Sequence, residues 1–245
     1  MRCLIVSDIH GNFPALQAVL IDAPIFDTIW CLGDIVGYGP DPNRCVDRLR
    51  EFSHVCVAGN HDWGAIGRTD LYVFNRDARQ ALLWTRDRLL SDNWDFLAQL
   101  STTLPVEGGY FLAHGSPREP IWEYLLDAKS AKENFISNNF QIAFVGHTHI
   151  PTIFEWLSEN DGDGVRVRSP NWEEPLDLRD RRLILNPGSV GQPRDGDPRA
   201  AFGYLDTEAQ TFTFYRTPYP VEITQERMRA RGLPHRLSDR LALGR

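Results

Sequence analysis

Five short apolar runs in this 245-residue chain each stop at a polar cluster that contains or adjoins a glycine. Residues 3–7 run into Asp8-Ile9-His10-Gly11, and residues 28–32 into Gly33-Asp34. Residues 55–58 run into Gly59-Asn60-His61-Asp62, residues 110–113 into His114-Gly115, and residues 142–145 into Gly146-His147-Thr148-His149. A short apolar run closed by turn residues reads as a β-strand. Asp8, Asp34 and Asn60 follow one another at intervals of 26 residues, the length of one βα repeat. Helical stretches fill those intervals, at 14–20 behind a capping Asn12 and at 43–51 with its arginines outward. Strands of this kind gather their carboxyl ends at one edge of a sheet, so polar clusters far apart in sequence converge there. Glycine at each turn lets the backbone bend sharply beside whatever binds.

Beyond these strands, residues 74–100 read as one long helical region whose Trp and Leu positions are core contacts. After Pro151 the texture changes to hairpins. Strands at 152–157 and 165–168 flank the turn-rich Glu159-Asn160-Asp161-Gly162-Asp163-Gly164, and strands at 183–185, 201–205 and 211–216 complete a second, more antiparallel sheet. No linker-like composition divides the chain, so residues 1–245 are expected to form one α/β domain with two packed sheets.

Composition narrows the function. A net charge of -7 argues against a broad basic face for nucleic acid, but not against a nucleotide held as a small substrate. Cys3, Cys31, Cys45 and Cys56 form no Cys-x-x-Cys pair, which favours reduced, buried thiols over a disulfide framework or a zinc site. Chemistry-bearing Asp8 follows Met1 too closely for a cleavable signal, and no apolar stretch approaches the ~20 residues of a membrane span. A soluble, cytoplasmic protein is expected. The arginines between Arg227 and Arg245 are interspersed with Glu and Asp, as on a solvated face of a docked helix.

Together the five clusters offer carboxylate oxygen, amide oxygen and imidazole nitrogen. That mixture suits a pair of divalent transition metals better than calcium, magnesium or a structural zinc, and a paired-metal centre suggests hydrolysis at phosphorus. Each cluster alone is weak, since Gly-Asp is common in turns and a lone histidine after a strand is usually a satisfied core residue; their number and order carry the weight.

The ordered set resembles the calcineurin-like metallophosphoesterase superfamily, from Ser7-Asp8-Ile9-His10-Gly11-Asn12 through Asn186-Pro187-Gly188-Ser189-Val190-Gly191. Gly37-Tyr38-Gly39-Pro40-Asp41-Pro42 and Gln192-Pro193-Arg194-Asp195 are similar to its prokaryotic branch of small phosphodiesterase-like proteins. The resemblance implies a four-layer αββα sandwich of two mixed sheets. It implies a first metal on Asp8, His10 and His149, a second on Asn60, His114 and His147, and Asp34 bridging them. Manganese is the first choice, with iron, zinc or nickel as alternatives, because affinity order does not select among them. By the same likeness His61 is no ligand but protonates the leaving alkoxide as a metal-bound hydroxide attacks a phosphodiester, the alternative being that it only donates a hydrogen bond to a phosphate oxygen. Arg194 and Tyr38 sit in loops within reach of the cleft; Arg194 is the better phosphate contact, unless Asp195 or another carboxylate occupies it. Thr148 and Ser7 are read as orienting neighbouring ligands, and Asn186 and Ser189 as fixing loop conformation.

The eukaryotic-type protein phosphatases of this superfamily carry an arginine and an acidic partner for the histidine where this chain has Gly37, Tyr38 and Asp62. That makes protein phosphatase activity the weaker expectation and leaves open what orients His61. The rival enzyme readings are a phosphomonoesterase or a dinucleoside-polyphosphate hydrolase, and the non-enzyme rival is a metal-binding scaffold. No Gly-x-Ser-x-Gly elbow supports a serine nucleophile.

Overall fold

The computed structural model describes residues 1–157 and 164–245. Three parallel strands, β1 (Arg2–Val6), β2 (Thr28–Cys31) and β3 (His54–Cys56), form one half of the first sheet. The other half is antiparallel: β11 (Ala200–Asp206) pairs with β1, then β12 (Thr211–Thr217), then the short β9 (Leu176–Asp177). The second sheet runs in the order β4 (Thr103–Val106), β5 (Tyr110–Ala113), β6 (Ile142–Phe144), β10 (Leu183–Asn186), β7 (Thr152–Trp156) and β8 (Val165–Arg168).

Strand alternation explains the layering. Cys3, Ile5, Trp30 and Leu32 face Leu112, Phe144, Leu183 and Leu185 of the other sheet and form the central core. Leu4, Val6, Ile29 and Cys31 face the opposite way, onto α1 (Phe13–Asp22) and α2 (Pro42–Arg50) through Leu16, Val19, Val46 and Leu49. On the outer side of the second sheet, Ala143, Phe154 and Ile184 pack under Ala131 and Phe135 of α6 (Ala128–Ser137). Both faces of both sheets are therefore buried, which is why the strands read as continuous apolar runs. The result is the expected αββα sandwich of two mixed sheets.

Two details differ from the sequence reading, and one lies outside the described residues. Residues 201–205 and 211–216 belong to the first sheet, because the parallel half ends at β1 and its free edge takes β11. The region 74–100 is two helices, α4 (Arg76–Arg86) and α5 (Ser91–Gln99). The Asn43 side chain holds the break open, accepting from Leu90 N at 2.9 Å and donating to Arg88 O at 2.7 Å. The expected turn at 159–164 falls, but for Gly164, outside the described residues. A short helix, α3 (Asn60–Ala65), starts inside the third polar cluster.

The carboxyl-terminal segment carries α7 (Val221–Ala230), α8 (His235–Asp239) and a 3-10 turn, Arg240–Leu243. Met228, Leu237 and Leu241 pack against Tyr38 and, on α4, Ala78 and Ala81. Arg227 and Arg231 fasten the segment to buried Asp41 at 2.9 and 3.2 Å. All four cysteines are buried and free of disulfides. Among the described residues no helix is long and apolar enough to cross a membrane.

Candidate metal centre

Five strand ends deliver the candidate ligands to one place. Asp8 follows β1, Asp34 follows β2, Asn60 opens α3 after β3, His114 follows β5, and His147 and His149 follow β6. The backbone there is under tension. Of nine non-glycine residues with positive φ among those described, six are Asp8, His10, Asp34, Tyr38, His147 and His149. Each such residue costs about 1–2 kcal/mol, so the surrounding fold must hold it in place. Glycine allows the loops to approach: a Cβ on Gly146 would lie 1.9 Å from Ser7 Oγ and 2.9 Å from Asp8 Oδ2.

Two groups of donors form around the shared carboxylate of Asp34. In one, His149 Nε2 lies 3.3 Å from Asp8 Oδ1, and His10 Nε2 lies 3.2 Å from His149 Nε2. In the other, His114 Nε2 lies 3.0 Å from Asn60 Oδ1 and 3.1 Å from His147 Nδ1. Asp34 Oδ2 stands between them, 3.7 Å from His10 Nε2 and 3.3 Å from His114 Nε2. All seven expected ligands are thus brought together, and each is at most 4% exposed.

The second contacts of these side chains define which atoms are left for a cation. Each carboxylate uses one oxygen on the protein. Asp8 Oδ2 accepts from Ser7 Oγ at 2.7 Å and His147 N at 3.1 Å, and Asp34 Oδ1 accepts from His61 N at 2.8 Å. Asp8 Oδ1 and Asp34 Oδ2 are buried and have no hydrogen-bond partner. A buried carboxylate oxygen without a donor is costly, so an electron-pair acceptor belongs there. Three imidazoles are fixed in the same way. His10, His114 and His149 place Nδ1 against the carbonyls of Val36, Leu32 and Gln192, at 3.2, 2.9 and 2.6 Å. A carbonyl only accepts, so Nδ1 carries a proton; His10 and His149, held neutral by burial, present Nε2 lone pairs inward, and His114 does so once it gives up its second proton. The 3.2 Å approach of His10 Nε2 to His149 Nε2 then sets two lone pairs face to face, which a cation would relieve. Donor chemistry and orphaned atoms both fit the divalent pair expected from the sequence.

Electrostatics agree. Burial holds His10, His147 and His149 well below the usual imidazole value. Burial lifts the Asp8 carboxyl to about 6 against the pull of His114, while Asp34 adds to the lift. Burial would lift Asp34 as well, but His114, His61 and His10 hold it well below the carboxylate range. Burial opposes charge on His114, yet Asp34 overrides it and raises the imidazole to about 9. A proton on His114 is what stabilises the Asp34 carboxylate when no metal does.

His61 lies against the rings of Tyr38, His10 and Phe74, at centroid distances of 4.3, 4.8 and 5.1 Å. Its Nδ1 is buried without a partner, and it comes within 4.8 Å of donors on His10 and Asp34. Asp62 does not orient this ring. Its two oxygens accept from Val36 N and Gly59 N at 3.1 and 3.0 Å, stitching two loops of the centre together. Among the described residues the His61 ring is held by packing against Tyr38, His10 and Phe74, with Gly37 close beside it.

Tyr38 and Arg194 both reach the centre. The Arg194 guanidinium stands 6.0 Å from the Tyr38 ring and is anchored by Gln192 Oε1 through Nη2 at 2.8 Å. Asp195, the carboxylate beside it in sequence, is engaged by Arg216 instead. Asn186 donates to Gly146 O at 2.7 Å and to Thr148 Oγ1 at 2.9 Å, and Ser189 Oγ donates to Asp8 O at 2.9 Å. Sequence reasoning missed Tyr124, which stacks on His147 at 3.9 Å with its hydroxyl near Arg194. It lies in an irregular loop with no periodicity to mark it. Gln192 was missed as an anchor although it adjoins Pro193-Arg194.

Comparison with known proteins accords with this geometry. A crystal structure of a metallophosphoesterase from Sphaerobacter thermophilus superposes with a TM-score of 0.90 at 46% identity, covering 100% of this chain and 99% of that one. An uncharacterised protein of Methanocaldococcus jannaschii is 36% identical over 98% of this chain and 97% of its own length. Phosphodiesterase YfcE of Escherichia coli strain K12 is 26% identical over 85% of this chain and 89% of its own. The model of the calcineurin-like phosphoesterase superfamily domain matches residues 1–210, and the chain belongs to that family.

Proposed function

We propose that this chain hydrolyses a phosphodiester at a dinuclear metal centre held by Asp8, His10, Asp34, Asn60, His114, His147 and His149. The observation that carries this reading is the pair of buried, unpartnered oxygens, Asp8 Oδ1 and Asp34 Oδ2, set among inward-facing imidazole lone pairs. Two divalent ions there, manganese first and iron, zinc or nickel as alternatives, would supply an acidified water and offset charge on the phosphoryl oxygens. The protein supplies the rest. Asp34, shared between the two donor groups, keeps them at a fixed separation. Ser7 and the His61 amide turn each carboxylate so that one oxygen faces inward.

His61 is the proton donor to the leaving group. Burial lowers its pKa to about 4, with Arg194 and His114 adding to the effect and Asp34 opposing it. An anionic phosphate placed against the ring joins Asp34 in opposing that fall and favours the protonated imidazole. Arg194, held by neutral Gln192, and Tyr38 clamp the non-reacting phosphate oxygens. The similarity to a phosphodiesterase over most of the chain supports a diester over a monoester.

The test is turnover of bis-p-nitrophenyl phosphate beside p-nitrophenyl phosphate, with chelator-stripped protein and protein reloaded with manganese. Faster diester turnover, abolished by stripping and cut about 10²- to 10⁴-fold by His61→Ala, is the expected result. Preference for the monoester would replace this reading with a phosphomonoesterase, and full turnover by stripped protein would end the metal account.

A further inference from the structure

The loop that carries Arg194 is dense in charge. Arg194, Asp195, Asp197 and Arg199 follow one another before β11 begins, and Arg216 joins them from β12. Only 5% of the Arg216 side chain is exposed. It pairs with Asp195, reaches Asp197 Oδ2 at 3.2 Å, and lies over the Trp172 ring with Cζ 4.2 Å from the centroid. A guanidinium so enclosed needs carboxylates on its forks. Asp197 has a second cation, Arg199 at 2.6 Å, whereas Asp195 has Arg216 alone among the described residues. Two aspartates thus neutralise two of the three arginines, and the charge left over is that of Arg194.

Arg194 is tied to the centre through its backbone. Its N donates to His149 O at 3.3 Å, and His149 Nδ1 donates to Gln192 O at 2.6 Å. Its guanidinium rests on the neutral Gln192 amide, with Nη2 and Nε at 2.8 and 3.3 Å from Oε1. An amide oxygen anchors a guanidinium without neutralising it, so the charge stays available to an anion at the metals. Asp195, one residue along the chain, is the built-in competitor. A guanidinium holds a carboxylate in the same two-pronged way as a phosphate, so an unengaged Asp195 would oppose substrate at Arg194.

We infer that Arg216 is a positioning residue of the phosphate clamp: it draws the Asp195 carboxylate towards β12 and keeps the Arg194 guanidinium free for phosphate. This deepens the phosphoesterase reading and rests on its assignment of Arg194. Arg216 acts through Asp195 and Arg194, so its effect falls on the affinity for phosphate and leaves the chemical step alone. Removal of Arg216 strands Asp195 only, because Asp197 keeps Arg199.

The test is calorimetric binding of inorganic phosphate to manganese-loaded protein, with KM and kcat for bis-p-nitrophenyl phosphate measured beside it. Arg216→Met keeps an apolar stem on Trp172 and removes the charge. It should weaken phosphate binding about five- to tenfold and raise KM in step, with kcat little changed. Asp195→Asn alone should bind phosphate within about twofold of wild type. The double variant, Asp195→Asn with Arg216→Met, should do the same, because no carboxylate is released. Loss of a merely structural contact at Arg216 is not repaired by Asp195→Asn. Melting temperatures report folding, and where Arg216→Met does not fold, Arg216→Gln carries the same expectation. Unchanged phosphate affinity in a folded Arg216 variant, or a loss that Asp195→Asn does not restore, would overturn the inference. Diester turnover in wild type with no effect of Arg216 on phosphate removes the positioning role alone. An Asp195-dependent effect on phosphate without turnover leaves the role and removes the hydrolase reading.

Discussion

Gly59→Ala is a substitution whose φ and ψ any residue adopts but which should damage the centre by crowding one residue, Asp34. Gly59 has φ -102° and ψ 174°, which any residue adopts, so alanine pays no conformational penalty there. Its Cβ would, however, lie 2.0 Å from Asp34 Oδ1 and 2.4 Å from Asp34 N. Asp34 cannot retreat as a unit, because its carbonyl receives His10 N at 2.9 Å and the preceding carbonyl receives Asp8 N at 3.1 Å. The carboxylate must rotate away from the new carbon, and the Gly59 turn must shift from Asp34 N, a contact with backbone that no side-chain rotation relieves. The carboxylate then loses the 2.8 Å bond from His61 N and carries Oδ2 away from its place between His10 and His114. Overpacking costs about 1–3 kcal/mol and a lost hydrogen bond to a charged group about 1.5–3. Together these predict a fall on the order of 10 °C in the melting temperature of the metal-free protein. Manganese binding should weaken as well. Gly196→Ala is the control: φ is +87° with nothing within 4 Å of the added carbon. It pays only left-handed strain of about 1–2 kcal/mol and should bind metal normally. A Gly59→Ala protein that melts with wild type and binds metal as well would refute this account of Asp34.

The raised pKa of His114 makes metal binding proton-linked. A folded value of about 9 against an unfolded value near 6.5 gives the metal-free protein stability that is complete below pH 6.5 and lost as pH rises through 9. Manganese must displace that proton, so calorimetry at pH 8 in buffers of different ionisation enthalpy should show release of about one proton, absent in His114→Ala. At the carboxyl-terminal segment, Asp41→Asn should lower the melting temperature through loss of the pairs to Arg227 and Arg231, by about 1–3 kcal/mol. Thermal melts at low and high salt check this; an unchanged melt would mean that the apolar cluster alone docks the segment.

The candidate centre was legible in the sequence because each candidate ligand lies in a polar, glycine-containing cluster that closes a short apolar run. Asp8, Asp34, Asn60, His114, His147 and His149 needed no knowledge of partners across the sheet. Sheet membership did need it. Alternation tells that Phe202 and Phe212 are buried, but not that β11 takes the free edge of β1, since many antiparallel registers satisfy the same pattern. The break between α4 and α5 was hidden because it depends on one side chain, Asn43, more than forty residues away. Tyr124 was invisible for a related reason: it lies in an irregular segment and stacks on His147, a contact that no local pattern encodes. The arginines near the carboxyl terminus looked alike in sequence; only packing turns Arg240 inward while Arg229 pairs on the surface with Asp239.

The most direct test of the paired centre is metal content after reconstitution with manganese, read by plasma mass spectrometry on wild type, Asp34→Asn and Asn60→Ala. Asp34 Oδ2 serves both donor groups, whereas Asn60 Oδ1 serves one. Wild type should hold about two ions per chain, Asn60→Ala about one, and Asp34→Asn less than one. An Asp34→Asn protein that keeps both ions, or a wild type that takes up only one, would contradict the bridged pair.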